Sequence, residues 1–343
     1  MELIHINVAD RMKHYNVTGL SITLIEGGEV QSTRNYGYLE SGSTRVVSEN
    51  SIFNACSISK FLTSMLVMKL TEQSTFNLDE DVNDILCTWK IPNHPFNKPV
   101  TLRNLLSHQS GIIDPEGSFS ELNQSSKFPP LTDLLNGKTA YCKEPIEVKY
   151  EPESEFHYSD AGYCIIQQLI EDVTGKDFIQ VMDEQIFKPL KMDNSTFMTK
   201  ISDIKNNDFS CGHNKHGELV TEKYPIYPYP ASSGLWTTSK DLAQLVTEII
   251  KAIKCESRLG ISDRNAIEMI SPQFDKPWTG LGIFLEGSEK EIEVSSLGWG
   301  VGFQSMLVAF PYLEKGAVIM TNAELGIHQL EGIIGEIYRS LFS

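Results

Sequence analysis

The spacing of apolar residues divides the chain into three textures. Near the start, GLSITLI and VQSTRNYGY alternate in polarity around EGGE, and the Gly-Gly pair predicts a hairpin over 19–38. SISKFLTSMLVMKLTEQ (57–73) follows, with apolar residues at 58, 61, 62, 65, 66, 67, 68 and 70 covering nearly the whole circumference of a helix. A helix apolar on every side belongs inside a protein. From about 76 to 225 Pro, Asn, Asp and Gly become frequent, and short helical patterns alternate with long loops. TLRNLLSHQSG predicts a short helix ending at Gly111, and AGYCIIQQLIEDVTGKDF (161–178) an amphipathic one with Gly175 as its stop. YPIYPYP (224–230) excludes regular helix and central strand. SKDLAQLVTEIIKAI (239–253) reads as a helix with Ser239 as N-cap. Strand-like segments then return in LGIFLEGSEKEIEVSSLGWG and FQSMLVAFPYLEKGAVIMTNAE, before a last helix from about 325 to 341. Strands at both ends predict an α/β fold whose antiparallel sheet, flanked by helices, is built from residues 1–75 and 225–343. Residues 76–224 form a mostly helical, loop-rich insert in this reading.

Composition narrows the functional classes. The 343 residues include 29 Lys plus Arg and 45 Asp plus Glu, so the formal net charge is −16. Nucleic acid and anionic membranes are thereby disfavoured as partners, because phosphate binding needs clustered cations. No apolar run reaches the roughly 18–20 residues of a membrane span, and the first residues lack the pattern of a secretory signal. The six cysteines contain no C-x-x-C pair. The expectation is a cytoplasmic protein with reduced thiols. Oligomeric state is left open by the sequence.

Three short elements can carry chemistry. Ser57 and Lys60 form S-x-x-K at the start of the buried helix, where residues three apart share a face. Burial depresses a lysine pKa, which would let Lys60 take a proton from the serine near neutral pH. The bland alternative is a helix cap beside a snorkelling lysine. A second copy, Ser202 with Lys205, sits in a polar stretch where both side chains can be solvated. The second element is Tyr158-Ser159-Asp160, just before the amphipathic helix. It reads either as a proton-relay tyrosine or as an ordinary helix start. The third is Ser296-Leu297-Gly298-Trp299-Gly300-Val301-Gly302, whose alternate glycines mark a backbone that something approaches closely. Cys211, His213 and His216 read as a hairpin turn rather than a zinc site, and His108 as a structural hydrogen-bonding residue. Tyr224, Tyr227 and Tyr229 either line an acyl pocket or stiffen a loop.

Taken in order, these segments resemble the serine β-lactamase and penicillin-binding family, in its class C, D-alanyl-D-alanine carboxypeptidase and esterase branch. NACSISKFLTSMLVMKL, TLRNLLSHQSGI, FHYSDAGYCIIQQLIEDVTGKDF, SSGLWTTSKDLAQLV and GFQSMLVAFP carry the likeness along nearly the whole length. The resemblance implies the β-lactamase/transpeptidase-like fold, an active site between its two parts, and no metal or organic cofactor. It implies Ser57 as acylated nucleophile, Lys60 as its proton partner and Tyr158 as proton shuttle. The backbone N–H groups of Ser57 and Trp299 would form the oxyanion hole. The implied function is hydrolysis of an ester or amide in a small molecule or short peptide through an acyl-enzyme. Alternatives are a β-lactamase or DD-peptidase, an acyltransferase, and a non-catalytic protein binding peptidoglycan fragments or β-lactams.

Two departures bear on substrate. The family's second motif is usually Tyr-x-Asn, and here Asp160 replaces the asparagine; if ionised, it raises the Lys60 pKa and favours substrates carrying an amine. The third motif is usually Lys-Thr-Gly or His-x-Gly. Aligning on Gly302-Phe303 puts Ser296 in the cationic position and Gly298 at the glycine, at a cost of about 1.5–3 kcal/mol in carboxylate binding. A shift of register would instead align Trp299-Gly300-Val301 with the Trp-Gly-Gly of some esterases.

Overall fold

The computed structural model describes residues 6–123, 127–204 and 208–342. In chain order its elements are α1 (Val8–His14), β1 (Gly19–Glu26), β2 (Glu29–Gly37), β3 (Phe53–Cys56), α2 (Ile58–Glu72), α3 (Val82–Ile85), α4 (Leu102–Leu106), α5 (Leu131–Leu135), α6 (Asp160–Thr174), α7 (Phe178–Met182) and α8 (Lys188–Leu190). There follow β4 (Thr196–Phe197), α9 (Pro230–Ser233), β5 (Leu235–Thr237), α10 (Ser239–Ile253), α11 (Asp263–Met269), β6 (Phe284–Glu286), β7 (Glu293–Gly300), β8 (Phe303–Phe310), β9 (Lys315–Thr321) and α12 (Ile333–Phe342).

Six strands form one antiparallel sheet in the order β2-β1-β9-β8-β7-β6, so the two chain ends meet where β1 pairs with β9. Gly27 and Gly28 both adopt positive φ in the first hairpin, the conformation its tight turn requires. Strand alternation sends Leu20, Ile22 and Leu24 of β1 to the face covered by Val8 and Met12 of α1 and Ile333, Ile334 and Ile337 of α12. The opposite face joins the larger core with α2 and α10. Ser21 and Thr23 point there, and their hydroxyls bond to the Ser239 hydroxyl at 2.7 and 2.8 Å. Ser239 is therefore not the cap expected from the sequence: Thr238 takes that place, accepting the Asp241 N–H.

Several boundaries differ from the sequence pattern for local reasons. The helix expected to run to Gly111 ends at Leu106, because His108 turns into the left-handed region at φ 59°. The amphipathic helix stops at Thr174, with Gly175 left-handed as expected, and KDF opens α7 instead. The last helix begins at Ile333, not near 325. The run YPIYPYP is irregular until its final proline, which starts α9 at the one helical turn that tolerates it. A second small sheet, β3-β5-β4, places β3 directly before α2.

Helix α2 is buried from Ile58 to Leu70. Each of its fully buried leucines, isoleucines or methionines contributes about 1.5–3 kcal/mol of burial. That rigid axis is what fixes the position of the side chains at its N-terminus.

Candidate active site

Strand β3 turns into α2 at Cys56, which is buried and held at φ 49°. This is a costly conformation for a residue with a side chain. The turn leaves Ser57 at the N-cap position, yet its side chain makes no capping bond. Ser59 does the local work: its hydroxyl donates to the Cys56 carbonyl at 2.6 Å and accepts the Leu235 N–H at 3.0 Å. The partly exposed Ser57 hydroxyl is thus left for other partners.

One turn along, Lys60 is 2 % exposed. Its Nζ donates to Ser57 Oγ at 3.3 Å, to Asp160 Oδ1 at 2.6 Å and to the Ser232 carbonyl at 3.2 Å. It also lies 4.7 Å from the centre of the Tyr158 ring. Burial pulls the ammonium toward the neutral form, but the Asp160 charge, Tyr158 and their hydrogen bonds reverse this and hold it well above the ordinary lysine range. The expectation of a lysine depressed by burial is therefore corrected: the buried amine has a buried partner. Asp160 shows the complement. Burial pushes its carboxyl up, and the Lys60 charge with the Lys60 and Ser232 hydrogen bonds brings it below the usual range.

Tyr158 is 42 % exposed and stacks on His108 with ring centres 4.4 Å apart. Burial and the nearby Lys60 charge lower the His108 pKa to about 3. Its Nδ1 accepts the Ser159 N–H at 3.1 Å, so it serves as a structural acceptor. The Ser159 hydroxyl caps α6 by accepting the Gly162 N–H. The same residues converge on Asp114, whose Oδ1 accepts the Ser159 hydroxyl at 2.7 Å and the Ala161 N–H at 3.0 Å. Its Oδ2 accepts the Asp160 N–H at 2.7 Å.

The facing wall is strand β7. Its pairing with β6 ends at Ser295, so among the described residues no further strand pairs with the outer edge from Ser296 to Gly300. A Cβ on Gly298 would lie 2.2 Å from the Ala55 carbonyl oxygen, and one on Gly300 2.7 Å from Cys56 Sγ. The close approach marked by the glycines is therefore that of the protein's own β3 turn, and it sets β7 alongside Ser57. Ser296 and Leu297 line one cleft with Ser57, Lys60, His108, Tyr158, Ile283 and Phe284. The cleft holds only about 10 Å³ of open volume, room for about one water. Trp299 is 41 % exposed, with its indole N–H donating to Glu324 at 3.1 Å.

Other sequence candidates lie elsewhere or are occupied. Both His213 nitrogens are engaged, Nε2 with the Ser41 N–H and Nδ1 with the Asn322 carbonyl. Tyr229 is fully buried and bonds the Ser120 carbonyl; Tyr227 accepts the Val301 N–H at 2.9 Å. These two stiffen the loops behind β7 and do not line the cleft. Of the second S-x-x-K copy, Ser202 is in a short 3-10 turn and Lys205 lies outside the described residues. A larger cavity of about 610 Å³, between α6, α7 and β4, shares no lining residue with the cleft.

Sequence reasoning missed Asp114 and Ser232. Ser232 holds both ends of the ion pair, giving its carbonyl to Lys60 and its hydroxyl to Asp160. The Pro-Ala-Ser-Ser-Gly stretch marks a helical turn there, but nothing local points it at Lys60. Asp114 sits in an irregular loop with no periodic signal.

Fold and site together describe an α/β protein with a serine–lysine pair at the N-terminus of a buried helix. A family model described as Beta-lactamase matches residues 6–332, and the chain belongs to the beta-lactamase family. It is similar to Protein flp of Staphylococcus aureus strain MW2, 24% identical over 90% of this chain and 60% of that protein. It is also similar to the teichoic acid D-alanine hydrolase of S. aureus strain MRSA252, 25% identical over 70% of this chain and 56% of that one. The chain thus spans about three fifths or less of these curated relatives. Among solved structures, the octameric penicillin-binding protein homologue of Pyrococcus abyssi superposes with a TM-score of 0.77 at 23% identity, covering 96% of this chain and 74% of that one. The D-amino acid amidase of Ochrobactrum anthropi SV3 also gives 0.77, at 18% identity, covering 97% and 96%. These likenesses establish the β-lactamase/transpeptidase-like fold.

Proposed function

We propose that the protein is a serine hydrolase that cleaves an ester or amide through an acyl-enzyme on Ser57. The observation that carries this is a hydroxyl at a helix N-terminus, free of any capping bond, 3.3 Å from a buried lysine. In the proposed reaction Ser57 Oγ attacks the carbonyl carbon. Lys60, as an ammonium, donates to the oxygen and stabilises the charge that develops there. The Tyr158 oxygen takes the serine proton while its own proton passes to the leaving group. Water then attacks the acyl-enzyme by the reverse relay. The N–H groups of Ser57 and Trp299 would hold the oxyanion, the second offered by the unpaired edge of β7.

The proposed substrate carries an amine rather than a carboxylate near the scissile bond. Ser296 provides no cation in the cleft wall to hold a carboxylate, and the charge of Lys60, which lines the cleft, is offset by Asp160. The names of two similar proteins, a D-alanine hydrolase and a D-amino acid amidase, fit an aminoacyl group. The division into an α/β part, residues 1–75 with 225–343, and a helical insert is proposed as the frame of the cleft. A reducing compartment such as the cytoplasm is proposed too, supported by six unpaired cysteines.

Treatment with a fluorophosphonate tests the reading. A mass increase on the Ser57 peptide, absent in Ser57→Ala, is expected, together with turnover of p-nitrophenyl esters or D-amino acid anilides. Neither label nor turnover would leave a binding protein as the better description.

A further inference from the structure

We propose that Asp114 is a positioning residue for this reaction, whose carboxylate clamps the Tyr158–Ala161 turn so that the Tyr158 phenol and the Asp160 carboxylate stand over Lys60 and Ser57. This role presupposes the hydrolase reading of Ser57. Asp114 touches none of the groups proposed to react. It accepts three hydrogen bonds from three consecutive residues, the Ser159 hydroxyl and the Asp160 and Ala161 N–H groups. The turn is thereby held from one side by Asp114 and from the other by His108, which accepts the Ser159 N–H and stacks on the Tyr158 ring. Within the clamped segment, Tyr158 lies beside Lys60 Nζ and Asp160 is bonded to it.

All three donors to Asp114 are neutral, so the clamp depends on the carboxylate's own charge. The charged and titratable groups around it are Asp160 and Cys164 on α6 and Cys142 on the preceding loop. Burial raises both thiols, which keeps them neutral. Lys60 and His108 lie beyond Asp160. Burial and the Asp160 charge raise the Asp114 carboxyl to about 6, against the pull of its three hydrogen bonds. Below that pH the carboxyl carries a proton and no net charge, so all three donors face a weaker acceptor. The clamp then weakens, and the Tyr158 turn loosens before the Lys60–Asp160 pair itself titrates.

The experiment compares pH–rate profiles of wild type, Asp114→Asn and Ser159→Ala on one p-nitrophenyl ester, with melting curves to confirm folding. Wild type is expected to lose kcat on the acid side with a midpoint near pH 6, at nearly constant KM. Asp114→Asn is expected to lower kcat about tenfold or more at pH 7.5 and to abolish the limb near pH 6, leaving loss only below about pH 4. Ser159→Ala removes one donor to the carboxylate and is expected to move the limb to higher pH; it keeps the test alive if Asp114→Asn does not fold. A wild-type limb carried over unchanged into both variants, or kcat within twofold in Asp114→Asn, would overturn the proposal. If wild type shows neither label nor turnover, the hydrolase reading fails by itself. The clamp is then judged by ¹³C titration of the Asp114 carboxyl: a midpoint near 6 that moves upward in Ser159→Ala supports it, and one below about 4.5 overturns it.

Discussion

Lys60 has three N–H donors and uses them on Ser57, Asp160 and Ser232. A lysine this buried is costly to keep charged without a partner. Here Asp160 reverses the sign of the shift, and the amine serves as a fixed cation beside the serine rather than as a free base. Asp160→Asn should therefore lower the Lys60 pKa and move the alkaline limb of kcat to lower pH, as read by a pH–rate profile. The same substitution leaves a buried ammonium without its counter-charge and should cost about 3 kcal/mol at pH 7, measured by denaturant unfolding. The signs follow from the two shifts. The raised lysine stabilises the fold below its ordinary 10.5, and this is lost as pH rises through the folded-state value. The lowered carboxyl stabilises it above its ordinary 3.8, and this is lost as pH falls through the folded-state value. The penalty of Asp160→Asn should thus persist while both groups are charged, and be smaller above about pH 6 than just below it, because the variant also relieves the repulsion of Asp114 by Asp160.

Two elements face each other at the cleft, the N-terminus of α2 and the free edge of β7. Their spacing is set by Gly298 against the Ala55 carbonyl, with no room for a methyl group. Gly298→Ala should push β7 away from the β3 turn, displacing the Trp299 N–H from its proposed place opposite Ser57. The expected result is a kcat loss of about 10²-fold, on the scale of losing one oxyanion donor, with KM changed little. An unchanged kcat in Gly298→Ala would separate the β7 edge from the chemistry. The same glycines show how far patterning reaches: alternate glycines announced a close approach, but not that the approaching group was the nucleophile's own turn.

The whole molecule carries a formal charge of −16, and long-range fields change encounter rates more than the chemical step. For an ester bearing an ammonium group, kcat/KM should fall several-fold between about 20 and 200 mM salt, as the Debye length shortens to about 10 Å and below. A neutral ester should be indifferent to salt, and an anionic one should gain. Stopped assays across ionic strength with three matched esters check this, and equal slopes would show that the field does not steer substrate.

What the chain determined by itself is what depends on near neighbours. Strand alternation and the Gly27-Gly28 turn set the first hairpin, the all-round apolar run set the buried helix, and S-x-x-K spacing put Ser57 and Lys60 on one face of it. Tertiary structure decided what depends on groups distant in the chain. Asp160 lies 100 residues from Lys60 and reverses its titration. Ser232 and Asp114 carry no local signal, and Ser239 exchanged its expected cap for hydroxyls on β1. The physical reason is range: hydrogen-bond periodicity acts within a few residues, whereas the charge and solvation of a buried group are set by whatever packing brings beside it.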